Sequence, residues 1–67
     1  MKIDNEKLDL VMAQNCLSSE KLSQIANVSQ VTIARMRNGS QKPRPITIGK
    51  IAKALGIKVE DLIEKGE

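Results

Sequence analysis

SSEKLSQIANVSQVTIARMRNG, residues 18–39, is the stretch that decides the fold. Its apolar positions Leu22, Ile25 and Ala26, then Ile33 and Met36, fall at helical spacing in two short groups. Asn27-Val28-Ser29 separates them. Asn accepts positive φ at lower cost than most residues, and Ser is a good N-cap whose hydroxyl takes first-turn N–H groups. Two short helices joined by so few residues must cross steeply, so residues 18–37 are predicted to form a helix-turn-helix.

The second of these helices, about residues 30–37, is expected to close at Asn38-Gly39, where Gly supplies a left-handed cap. At 100° per residue Ile33 and Met36 point inward, while Gln30, Val31, Ala34 and Arg35 point outward and Thr32 and Arg37 lie at the edges. An outward face of small and hydrogen-bonding residues beside one long cation suits a helix that enters a groove. Ser18 starts the preceding helix without a full capping box, since Lys21 stands where Glu or Gln would complete it. The hydroxyl of Ser23 is expected to find the carbonyl one turn back.

Outward from this core, Asp4 or Asn5 can cap a first helix bearing Leu8, Val11 and Met12 on one face and ending near Asn15. Residues 40–44 form a basic loop kept extended by Pro43 and Pro45, the latter suited to the first turn of a fourth helix. That helix places Ile48, Ile51, Ala52 and Leu55 inward, exposes Lys50 and Lys53, and ends at Gly56. Ile57, Val59, Leu62 and Ile63 are expected to form a short fifth helix, with residues 65–67 frayed. The expectation is all-α, with five helices.

Leu17-Ser18-Ser19-Glu20-Lys21-Leu22, Val28-Ser29, Thr32-Ile33, Asn38-Gly39, Pro43 and Ile51-Ala52-Lys53-Ala54-Leu55-Gly56 together resemble the Cro/C1-type family of phage repressors and bacterial regulators. The resemblance runs from about Leu8 to Ile63 and implies the compact five-helix architecture of lambda-repressor-like DNA-binding domains. Four positions depart from the family pattern. Cys16 stands at a usual Gly and Ser23 at a usual Ala. Met12 and Arg37 replace an Arg–Glu ion pair, which implies an apolar contact of Met12 with the Arg37 stem and leaves the Arg37 charge free for solvent or a phosphate.

At 67 residues the chain has room for one small domain, and with no aromatic residue its core must be Ile, Leu, Val, Met and Ala. Cys16 is the lone cysteine and there is no His, which fits a reducing compartment and offers no metal set. No apolar run approaches the roughly 20 residues of a membrane span, nor is there a signal-peptide core; a cytoplasmic protein is expected. The net charge of +3 is unevenly spread. Lys21, Arg35, Arg37, Lys42, Arg44, Lys50, Lys53 and Lys58 occupy an acid-free middle, whereas all eight carboxylates lie outside it. That middle should meet a polyanion.

The expected partner is double-stranded DNA with a palindromic operator, and the expected role a small transcriptional regulator, a repressor by resemblance. Resemblance places phosphate contacts at Ser18, Ser19, Ser29 and Asn38, with Lys42 and Arg44 joining from the loop. Base reading falls on Gln30, Val31, Thr32 and Arg35: Gln30 on adenine N6 and N7, Val31 on a thymine methyl, Arg35 on guanine O6 and N7 or a phosphate. No catalytic residue, cofactor or metal is assigned, because there is no His or Tyr and Cys16 has no base nearby in sequence. The alternative is a protein-binding helix-turn-helix module such as an antitoxin or adaptor. One such helix reads few base pairs, so two half-sites 34–36 Å apart would be bound by a symmetric pair. A weak dimer through Ile57, Val59, Leu62 and Ile63 is expected, with core burial the competing reading for Val59 and Leu62.

Overall fold

The computed structural model describes residues 2–64 and is all-helical. Four α-helices follow one another: α1 Asn5–Gln14, α2 Ser19–Ala26, α3 Gln30–Asn38 and α4 Pro45–Leu55, with a single 3-10 turn at Val59–Asp61. Each helix starts as its sequence dictates. Asp4 caps α1 by accepting from the Glu6 and Lys7 N–H groups at 3.1 and 3.2 Å, and Pro45 opens α4, where no side-chain cap is present.

Three helix ends share one device. At Cys16, Asn27 and Gly56 the backbone turns left-handed, with φ of 55°, 57° and 71°. In each case the next residue donates back to the carbonyl five positions earlier: Leu17 to Met12 at 2.9 Å, Val28 to Ser23 at 3.1 Å, Ile57 to Ala52 at 3.0 Å. These are Schellman closures, which satisfy carbonyls that the helix leaves unpaired and reverse the chain within two residues. The first turn is therefore made at Cys16 itself, without the glycine that such a position favours.

The core gathers Ile3, Leu8, Met12, Leu22, Ala26, Ile33, Met36, Ile48, Ile51, Ala52, Leu55 and Leu62, all buried and all aliphatic or thioether. The inward sides expected for α1, α3 and α4 are the sides observed. Ile25 is an exception: it is exposed on α2, leaving Leu22 and Ala26 to anchor that helix.

The fifth helix does not form, and four helices stand where five were expected among the described residues. Lys58 is extended, one 3-10 turn follows, and Ile63 pairs with Ile3 in an isolated antiparallel bridge. Asp4 donates to the Leu62 carbonyl at 3.0 Å and Glu64 to the Lys2 carbonyl at 2.8 Å, so both ends of the described chain are tied together. Backbone groups claimed by this pairing are lost to a helical ladder. Leu62 drops wholly into the core, with 0% exposure, which removes it from any interface; Ile57, Val59 and Ile63 are half-buried against the same core. Residues 65–67, where fraying was expected, lie outside the described residues. No helix among the described residues is long and apolar enough to cross a membrane.

Candidate nucleic-acid interface

The outward side of α3 carries Gln30, Val31, Ala34 and Arg35, all exposed, while Ile33 and Met36 on its opposite side are buried. Asn27 in its left-handed conformation brings the chain from α2 into Ser29, whose hydroxyl accepts from the Thr32 N–H at 3.1 Å. The same hydroxyl donates to Thr32 Oγ1 at 2.8 Å. Thr32 is thereby half-buried at the edge of the face, its oxygen already engaged and its own O–H still able to donate. Of the four residues expected to read bases, Gln30, Val31 and Arg35 share the open face and Thr32 borders it. Ala34 belongs to that face too, although its lack of a functional group kept it out of the sequence-based set.

The start of α2 presents a second set of donors. Ser18 accepts from the Lys21 N–H at 3.1 Å, and the N–H groups of Ser19 and Glu20 have no carbonyl one turn back to reach. Ser23 donates to the Glu20 carbonyl at 2.7 Å, the local bond expected for it. At the last residue of α3, the Asn38 carboxamide oxygen accepts from the Ser40 N–H at 2.8 Å. Asn38 is exposed, and its NH₂ group is the donor end that an anion needs.

The charges frame the two helices. Lys42 lines a cleft with Arg37, Asn38 and Gly39 at the far end of α3, whereas Lys50 and Lys53 border Ile25 and Asn27 beside the turn that begins it. Arg44 precedes α4 with its side chain exposed and makes no capping hydrogen bond. Lys50 and Lys53 were expected to be exposed and to belong to the basic middle; their place beside the turn depends on how α4 packs on α2 and is not readable from local spacing.

Among the described residues, Arg37 is the cation held in an ion pair. Its guanidinium forms an ion pair with Asp9, donates to Asn5 Oδ1 at 3.2 Å and lies 3.9 Å from the Met12 sulfur. Asn5 in return donates to the Arg37 carbonyl at 2.8 Å. Met12 meets Arg37 through its sulfur and the guanidinium and not along the apolar stem, and the charge is not free: a carboxylate and a carboxamide of α1 take it. This polar clamp joins the end of α3 to α1.

Residues 7–65 match the family model for the Cro/C1-type HTH DNA-binding domain. No curated protein matches the chain.

Proposed function

Because the chain belongs to the Cro/C1-type HTH DNA-binding domain family, we propose that it is a sequence-specific regulator of transcription, a repressor that occupies its operator by placing α3 in the major groove. The open face of Gln30, Val31, Ala34 and Arg35 on an otherwise buried helix supports this reading. A helix fits the major groove of B-DNA, where each base pair shows its own pattern of donors, acceptors and methyl groups. Gln30 and Arg35 have the planar, bidentate groups for adenine and guanine, and Thr32 donates from the edge.

Ser18, Ser19, Ser29 and Asn38 with Lys42 and Arg44 hold the phosphates on either side, and Lys50 and Lys53 extend that grip. Phosphate contacts fix register, and base contacts then choose the sequence. The protein acts as one domain in the cytoplasm, by binding and not by catalysis. Two copies fill a palindrome, meeting through the half-buried residues Ile57, Val59 and Ile63.

Titration of duplex DNA across salt concentrations tests the reading. Affinity should fall steeply from low to physiological salt, with a log–log slope of several units, because each neutralised phosphate releases a counterion. A slope near zero would reject DNA as the ligand and favour a protein-binding role.

A further inference from the structure

We infer that Asn5 is a positioning residue for α3: its carboxamide fixes the C-terminal end of that helix and so governs base discrimination at Arg35 more than at Gln30. This rests on the DNA-binding reading above and adds a residue that acts through Arg35.

A helix of nine residues can be held at one end and still swing at the other. The start of α3 is fixed by the turn before it, where the Ser29 hydroxyl accepts from the Thr32 N–H and the Ser23 carbonyl accepts from the Val28 N–H. At the far end Gly39 donates to the Met36 carbonyl at 3.4 Å and Gln41 to the Arg35 carbonyl at 3.2 Å. Both donors belong to the loop that follows α3 and move with it. The Arg37 carbonyl lies past the reach of the helical ladder, and the Asn5 Nδ2 group donates to it at 2.8 Å. Among the described residues, this is the one hydrogen bond that another helix gives to the backbone of α3. Arg37 Nε donates in return to Asn5 Oδ1 at 3.2 Å, so both ends of the carboxamide are held.

Asn5 is itself anchored. Asp4 before it donates to the Leu62 carbonyl at 3.0 Å, Ile3 is buried and pairs with Ile63, and Leu8 one turn later is fully buried. The carboxamide therefore projects on a short stem from backbone that the core and the terminal bridge hold in place.

Leverage turns this contact into specificity. At 1.5 Å per residue, Gln30 lies about 1.5 Å along the axis from Ser29 and Arg35 about 9 Å. A swing of about 10° about the turn thus moves Gln30 by about 0.3 Å and Arg35 by about 1.6 Å. Base contacts tolerate only a few tenths of an ångström, since N–H···O distances run from about 2.7 to 3.2 Å. A loosened end leaves the Gln30 contact in place and takes the Arg35 contact out of reach. Lysines that hold phosphates follow such a swing on their flexible stems.

Asn5→Asp separates position from stability. An acid in the first turn of α1 suits the helix dipole and can still accept from Arg37, but a carboxylate cannot donate, and its oxygen faces the Arg37 carbonyl oxygen. The variant should melt cooperatively, and residual dipolar couplings of the free protein should show α3 turned relative to α1 and α4. In selection from random duplexes, preference should fall about fivefold or more at the base pair that Arg35→Ala identifies as read by Arg35. At the base pair read by Gln30 it should stay as in the parent, with an unchanged salt slope. Asp9→Asn, which removes the ion pair and leaves the carboxamide in place, should keep the parent pattern at both. An α3 orientation identical to the parent's in Asn5→Asp, a preference lost evenly along the half-site, no base pair that depends on Arg35, or an equal loss in Asp9→Asn would each overturn this inference while the parent still binds duplex. A parent that binds no duplex would overturn the DNA-binding reading as well.

Discussion

Cys16 carries a cost that its neighbours do not. It is one of two non-glycine residues with positive φ among the described residues, and unlike Asn27 it has no short polar side chain to satisfy its own backbone there. Left-handed backbone costs an ordinary L-residue about 1–2 kcal/mol, part of which glycine would return as extra unfolded-chain entropy. Cys16→Gly should therefore stabilise the domain by about 0.5–1 kcal/mol, seen as a melting temperature a few degrees higher. An unchanged or lower melting temperature would show that the turn is unstrained. At the reading face the residues divide by what they touch. Gln30→Ala and Arg35→Ala should alter the preference between matched and mismatched duplexes by about 1–3 kcal/mol, whereas Lys42→Ala should weaken both alike. If Arg35→Ala lowers every duplex equally, Arg35 holds a phosphate and reads no base.

At the scale of elements, what was legible in the sequence is what is local. The turn between α2 and α3 was readable because Asn27 and Ser29 each act on atoms within a few residues: a left-handed cap in one case, a first-turn N–H in the other. The same holds for Pro45 and Gly56 at the two ends of α4. The fifth helix was misread for the opposite reason. The apolar spacing after Gly56 fits a helix, but Ile63 pairs with Ile3 across nearly the full chain, and local periodicity contains no trace of that partner. Arg37 was misread likewise, since Asp9 and Asn5 are 28 and 32 residues away. The clamp they form has its own expected behaviour. The ion pair is partly exposed, at 25% and 63% for the two side chains, so Asp9→Asn should cost no more than about 0.5–1 kcal/mol. The loss should fade as salt rises toward 1 M, where charges are screened within about 3 Å. A loss that persists in thermal melts at high salt would mean that packing, not charge, joins α3 to α1.

The whole domain measures 30 × 22 × 18 Å. Half-sites one helical turn apart are 34–36 Å from centre to centre, so two copies on one face of the duplex would meet at their rims alone. With Leu62 buried and Ile57, Val59 and Ile63 half-covered by the core, little apolar surface is left to join them. That is far short of the roughly 800 Å² per partner of a stable complex. Sedimentation should accordingly find monomers at micromolar concentration, with pairing on the palindrome alone. Lengthening the spacer by half a turn, about five base pairs, should convert cooperative filling into two independent events. Identical isotherms for the two spacers would mean that each copy binds by itself.

The bridge between Ile3 and Ile63, with its flanking bonds from Asp4 to Leu62 and from Glu64 to Lys2, gives the molecule the topology of a ring with a seam. In a ring the order in which the helices are synthesised is arbitrary. A short glycine-serine linker across the seam would take the place of the two backbone bonds at a small loop-closure cost, and the chain could then be opened at Asn15 and Cys16, an exposed turn. Such a circular permutant, beginning with α2 and ending with α1, should melt cooperatively and retain the duplex preference of the parent. Loss of cooperative melting would show that the seam acts as a nucleus for folding and not as a clasp fastened afterwards.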